Sequence, residues 1–324
     1  MTSFMMRGFS IALASVASMF AAAAATQEVQ VYRGTCDASA ASALGPDHFV
    51  VASDEDNILR IYRHGQPEPV STLPLAAFLG SGDEESDIEG AATVGNRIYW
   101  ISSHGRNRNA KPRPARQRFF ATDFDLSTTQ PTLRPAGKAY AGLQADLLAT
   151  PAGQRLGLAQ AAQRAPEAEG GFNIESLAAT PKGPLLVGFR NPLIGSDALL
   201  MPLLNPLDVL EGRPSEWGAP ITLALGQRGL RSMETTSTGY LLVAGPTADA
   251  GTFALFRWSG QAADAPVQLK QVDLGTLRPE ALFAIPGSSE MQLLSDDGGL
   301  TTGGVECKAR PAAERTFRSL RFKP

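Results

Sequence analysis

From about residue 26 onward the chain is built mostly of short apolar runs broken by Gly, Pro, Asn and Asp. "HFVVASD", "ILRIYRH", "RIYWISS", "RFFATDFD", "LLVGFR", "ALLMPLL", "YLLVAG", "FALFRW" and "MQLLSDD" have strand length and end in polar or turn residues. Helical spacing is confined to "LQADLLAT", with a continuation near "RLGLAQAAQ", inside an insertion around 140–170. The pattern predicts an all-β chain with one helical insertion, and no linker divides it, so residues 26–324 form a single domain.

Five of the runs are preceded by an acid and small residues: Asp37 in "TCDASAAS", Glu89 in "DIEGAA", Glu175 in "NIESLAAT", Glu234 in "SMETTSTG" and Glu280 in "RPEALFAI". The acids lie 52, 86, 59 and 46 residues apart. That is near the period of a four-stranded propeller blade except across the insertion. A β-propeller of five or six blades follows, a sixth being available in "RFFATDFDLSTTQPTLRPAGKAY". The inner strand of each blade lines the axial channel, so acids at matching places would form a ring. Such a ring repels itself unless a hard cation, arginines or water offset the charge, and oxygen donors of this kind suit Ca²⁺. In the competing reading each Glu accepts backbone N–H groups of the next blade and is a structural latch.

The first 25 residues carry one Arg, an Ala-rich apolar core and small residues at Ala23 and Ala25, the build of a secretory signal peptide. A membrane anchor is the weaker alternative, because the stretch is short and Ala only weakly apolar. In an exported chain Cys36 and Cys307, close to the two ends, are expected to bond and clasp the ring. The expected locale is the periplasm or the outside of the cell, and the expected state a monomer.

With a formal net charge of −3, bulk electrostatics select no nucleic-acid partner. Locally, "GRNRNAKPRPARQR" is strongly basic, either an anion-attracting loop at the channel mouth or a solvated hairpin tip; without interleaved aromatics it does not suit nucleic acid. There is no G-x-S-x-G, P-loop, H-E-x-x-H or C-x-x-C, and three histidines make an imidazole-built zinc site improbable. Any enzyme chemistry must rest on carboxylates, with or without a metal.

"FNIESLAATPKGPLLVGFRNPLIGSDALLMPLLNP", "DIEGAATVGNRIYWISSHGRN", "LLVAGPTADAGTFALFRWSG" and "SDEDNILRIYR" resemble the bacterial family known as domain of unknown function 3616 over nearly the whole mature chain. More distantly the chain is similar to esterase-like phytase propellers, where an acid-Gly pair recurs at blade starts. Here that pair survives only as Glu89-Gly90. The first resemblance implies a propeller and no settled activity.

The candidate site follows from ring and rim together. Glu89, Glu175, Glu234 and Glu280 are the metal ligands expected, for Ca²⁺. His104, Arg106 and Arg190 are the catalytic candidates, orienting an anionic or phosphorylated ligand, and Asn107, Asn191, Asp296 and Asp297 at strand ends are candidates to bind it. His104 is otherwise a hydrogen-bonded turn residue, and Arg190, after so apolar a run, needs an anionic partner: Glu175 or a ligand. The function expected is a calcium-dependent phosphoester or ester hydrolase; the alternative is a noncatalytic ligand- or protein-binding propeller.

Overall fold

The structure, a computed structural model, describes residues 1–2, 29–248 and 250–324. The expected signal peptide therefore lies, but for its first two residues, outside the described residues. After β1 (Val29–Arg33) the chain builds four consecutive four-stranded antiparallel sheets. Blade 1 is β2 (Ala40–Leu44), β3 (His48–Ala52), β4 (Ile58–Arg63) and β5 (Pro69–Pro74), followed by the one-turn helix α1 (Ala76–Leu79). Blade 2 is β6 (Ile88–Val94), β7 (Arg97–Ser102), β8 (Phe119–Asp125) and β9 (Thr132–Tyr140). Then come the helices α2 (Leu143–Ala149), α3 (Pro151–Arg155) and α4 (Leu158–Ala161). Blade 3 is β10 (Asn173–Ala179), β11 (Leu185–Ile194), β12 (Asp197–Leu203) and, after α5 (Pro206–Leu210), β13 (Ile221–Leu223). Blade 4 is β14 (Gly229–Thr236), β15 (Gly239–Gly245), β16 (Ala254–Trp258) and β17 (Val267–Leu269).

Blade 5 starts with β18 (Pro279–Ala284) and β19 (Met291–Ser295), passes the small hairpin β20 (Thr301–Thr302) and β21 (Val305–Glu306), and ends on β22 (Thr316–Phe322). Its outer strand is β1, paired antiparallel to β22 from Val29↔Leu320 to Arg33↔Thr316. The first strand among the described residues thus completes the last sheet. The ring has five blades: the segment considered for a sixth forms β8 and β9 of blade 2. The inner strands β2, β6, β10, β14 and β18 pack each against the next and close on themselves. The Cys36–Cys307 disulfide spans 271 residues, with Cα atoms 5.9 Å apart, and fastens the same seam.

The sequence pattern explains the packing. Strands in the middle of a blade are covered on both faces by neighbouring blades and read as unbroken apolar runs, as in the five consecutive buried residues of β7. Outer strands alternate or are exposed, as in β5. The cores therefore lie between blades. Tyr32, Phe49, Tyr62, Phe283 and Phe317 fill the seam between blades 5 and 1. Leu143, Leu147 and Leu158 of the helical insertion pack into the core shared by blades 2 and 3, so the insertion is a fixed part of the wall. No helix among the described residues is long and apolar enough to cross a membrane.

Candidate functional site

Four inner strands break register at one place. The pairing slips between Ile88 and Gly90, Ile174 and Ser176, Leu230 and Ser232, and Pro279 and Ala281. The extra residues are Glu89, Glu175, Arg231 and Glu280. A β-bulge twists its strand and re-aims the extra side chain. Here it delivers four charged groups to one end of the channel, and in blade 1 Ser39, just before the Ala40↔Ala52 pair, holds the matching place. Close packing of inner strands limits the size of the residue after each charge: a Cβ on Gly90 would lie 2.8 Å from Ile101 and 3.0 Å from the backbone of Leu177. Hence Gly90, Ser176, Ser232, Ala281 and Ala40 are all small.

This register corrects the sequence-based ring. Glu234 lies three residues beyond the bulge of β14, and Arg231 takes the ring position. Glu234 accepts the backbone N–H of Ala284, at the far end of β18 from Glu280, and burial pushes its carboxyl up to about 8. It is a latch to the next blade, as the second reading described. The residue missed, Arg231, had a signal in the sequence: aligning blades on an apolar-charged-small triplet (Ile88-Glu89-Gly90, Ile174-Glu175-Ser176, Leu230-Arg231-Ser232, Pro279-Glu280-Ala281) finds it, whereas aligning on acids does not.

One side of the channel is neutralised internally. Arg231 Nε lies 2.7 Å from Glu175 Oε2, Arg231 Nη2 pairs with Glu280, and Arg190 Nη1 lies 3.0 Å from Glu175 Oε1, which also accepts from Asn173. Arg190 spends its other donors on the carbonyls of Pro246 and Ala248. Phe253 stacks over Arg231, 5.7 Å from the guanidinium carbon to the ring centroid. Burial pulls the pKa of Arg231 down and the Glu175 charge holds it up. Arg190 thus finds its anion in Glu175, the internal alternative.

The other side is acidic. Oxygens of Asp54, Asp87 and Glu89 lie within 4.8 Å of one another, and so do those of Asp37, Asp54 and Glu55. Asp87 accepts from Ser103 Oγ and from Arg116, at 2.9 Å, which also holds Glu85. Burial raises Asp87 although Arg116 counters it. Among the described residues no ion pair forms at Glu89: burial first, then Glu175, Asp87 and Asp54, push its carboxyl well above the ordinary range. Burial and the charges of Asp296 and Asp87 do the same to Asp54. Asp37 is pushed up to about 10 by burial and by Asp54, and keeps its proton in a hydrogen bond to Asp296. Burial works against Asp296, yet that bond and the N–H of Gly298 hold it below the carboxylate range. Asp54 Oδ1 and Ser39 Oγ are buried without a hydrogen-bond partner among the described residues.

The rim residues are placed differently from the expectation. His104 is 2 % exposed, its Nδ1 bonded to the carbonyl of Ser102, and burial lowers it to about 4, so it is neutral at pH 7. It is the hydrogen-bonded turn residue of the second reading. Arg106 binds the carbonyls of Ala162 and Ala110 and the amide of Gln163, strapping the helical insertion to blade 2. Asn107 shapes its own loop by accepting from the N–H groups of Asn109 and Lys111. Asn191 donates to the carbonyls of Pro166 and Ala168. Asp297 binds Arg318, 2.7 Å from Nη2, and Ser295, tying β22 to β19. Of the four ligand-binding candidates, only Asp296 faces the acidic cluster. In the basic run Arg116 and Arg118 are likewise engaged, the latter on the carbonyls of Leu79 and Pro114. A groove of about 810 Å³ flanks blade 4 between Phe253 and Leu277, lined by none of the ring residues.

Residues 153–291 match the model of a family described as protein of unknown function, DUF3616. No curated protein matches the chain. Among solved structures it is similar to a putative oxidoreductase (glucose dehydrogenase) of Thermus thermophilus, with 11 % identity, TM-score 0.46 and coverage of 91 % of this chain and 100 % of that one. It is similar to the glutaminyl cyclase of Myxococcus xanthus, with 11 % identity, TM-score 0.45 and coverage of 91 % and 97 %. The PQQ-bound aldose sugar dehydrogenase of Streptomyces coelicolor gives 12 % identity, TM-score 0.43 and coverage of 92 % and 99 %.

Proposed function

We propose that this protein is an exported, monomeric β-propeller that binds Ca²⁺ on the acidic side of its channel and takes an anionic small ligand through that cation. The observation that carries the reading is the set of Asp54, Asp87 and Glu89, with oxygens within 4.8 Å of one another and Asp54 Oδ1 unpartnered. Ligand oxygens on opposite sides of a calcium ion lie roughly 5 Å apart, twice the Ca–O distance, and carboxylates are its preferred donors. The expected set of Glu89, Glu175, Glu234 and Glu280 is reduced to Glu89: Arg231 occupies Glu175 and Glu280, and Glu234 is a latch. A bound cation would supply the positive charge for an anionic ligand, since Arg106, Arg116, Arg118, Arg190 and Arg231 are all committed to protein oxygens. Asp87, fixed by Ser103 and Arg116, is the rigid member of the set; Asp54, next to exposed Glu55, is the approachable one.

Noncatalytic binding is favoured over hydrolysis because His104, the imidazole expected to act on the ligand, is buried, neutral and bonded within its own turn. Phosphoester or ester hydrolysis is the second reading, supported by the carboxylate donor set alone. The disulfide suits an oxidising compartment, which is the support for a periplasmic or secreted locale.

Scanning calorimetry with Ca²⁺ and with chelator tests the reading. At a hundredfold excess over Kd, binding stabilises by about 2.7 kcal/mol, a rise of about 4 °C for a domain near 300 residues. Asp54→Asn abolishes the rise and Glu234→Gln keeps it. A wild type indifferent to millimolar Ca²⁺ overturns the proposal, and Ca²⁺-dependent turnover of p-nitrophenyl phosphate or acetate replaces binding by hydrolysis.

A further inference from the structure

We infer that the acidic side holds two divalent cations rather than one, the second between Asp37, Asp54 and Glu55, with the Asp54 carboxylate bridging the pair. The inference rests on the cation proposed at Asp54, Asp87 and Glu89 and extends it. Asp54 belongs to both oxygen clusters, each with all members within 4.8 Å. A carboxylate has two oxygens and about four lone-pair sites, enough to serve one cation on each side.

A cluster of acids alone is no site, and here a different group points into it. Ser39 is 1 % exposed and its hydroxyl faces the Asp54 carboxylate closely enough to favour the charged form, yet among the described residues neither Ser39 Oγ nor Asp54 Oδ1 has a hydrogen-bond partner of ordinary distance and angle. Two buried polar atoms left without partners cost free energy, and a cation between them restores both. The balance of charge agrees. Of the six carboxylates Asp37, Asp54, Glu55, Asp87, Glu89 and Asp296, Arg116 pairs with Asp87, Lys308 pairs with Glu55, Asp37 and Asp296 share a proton, and the charges of Arg231 and Arg278 act on Asp296, which leaves Asp54 and Glu89 without an ion pair among the described residues. Lys308 lies 3.5 Å from Glu55 with both side chains about half exposed, a loose ammonium at the open side of the second position. The backbone there is anchored: Asp37 follows the disulfide-bonded Cys36, whose carbonyl accepts the N–H of Asp297. A second cation thus displaces the proton that Asp37 shares with Asp296, and meets fixed donors in Asp37 and Ser39 and one movable donor in Glu55.

Isothermal titration of the chelator-stripped full chain with Ca²⁺ decides it. The wild type is expected to bind two ions, Glu55→Gln one, and Asp54→Asn none with measurable affinity. Lys308→Met should tighten the weaker of the two wild-type sites several-fold by removing the competing ammonium. Circular dichroism confirms the fold of each variant, and Glu55, being exposed, is the substitution least able to disturb it. One ion in the wild type, retained by Glu55→Gln, refutes the pair and leaves the proposed function standing. Two ions in both wild type and Glu55→Gln refute the assignment of the second position. No ion in the wild type sinks the proposed function and this inference together.

Discussion

Replacing Arg231 by Leu tests whether the ring is held by its own charges. Arg231 is buried between Glu175 and Glu280, and its removal leaves the two carboxylates unequally served. Glu175 keeps Arg190 at 3.0 Å, whereas Glu280, 7 % exposed, loses the one ion pair it makes among the described residues. Removing one partner of a buried pair costs about 3–5 kcal/mol. The surviving Arg190–Glu175 pair places the loss near the lower end, about 3 kcal/mol, or about 5 °C at roughly 2.1 cal/mol/K per residue. The loss must depend on pH. Without Arg231 the folded-state pKa of Glu280 rises above its unfolded value, so folded protein binds the proton more tightly than unfolded protein does. The deficit is then greatest above the raised folded pKa and shrinks as pH falls toward the unfolded value near 4.3. Urea unfolding of wild type, Arg231→Leu, Glu280→Gln and the double variant at pH 5 and pH 8 measures this. The double variant should recover at least 1 kcal/mol of the Arg231→Leu deficit at pH 8. A loss below 1 kcal/mol at pH 8, or an equal loss at both pH values, refutes the reasoning.

The same geometry sets two further outcomes. Glu234, with a folded pKa raised to about 8, makes the wild type lose stability as pH rises from its unfolded value toward 8; Glu234→Gln removes that slope while leaving any calcium response unchanged, as parallel denaturant titrations from pH 5 to pH 9 would show. Opening the Cys36–Cys307 bond, by Cys36→Ser with Cys307→Ser, should cost no more than about 5 kcal/mol and less in practice, because β1 still closes the ring on β22; complete loss of folded signal at 25 °C would show that the strand closure contributes little.

The sequence by itself determined the all-β class, the blade period, the terminal clasp and the crowding of charge at one end of a channel. These are local or periodic properties: apolar runs of strand length recur because each blade must be covered on both faces, and "DIEGAA", "NIESLAAT" and "RPEALFAI" each carry the bulge residue and its small successor in one short window. Only the tertiary structure decided which charges face each other. A bulge shifts which residue is aimed inward, and one position of slip moves a side chain to the other face. That is why Arg231, and not Glu234, joins Glu175 and Glu280. Asp54, Asp87 and Glu89 likewise come from two blades, and no spacing along the chain brings Asp54 to within 4.8 Å of the other two. His104, Arg106 and Arg190 look like ligand-binding groups in isolation. Their donors and protonation were fixed by what packs against them, because burial and a partner's distance, not residue type, decide whether a charge is free to act.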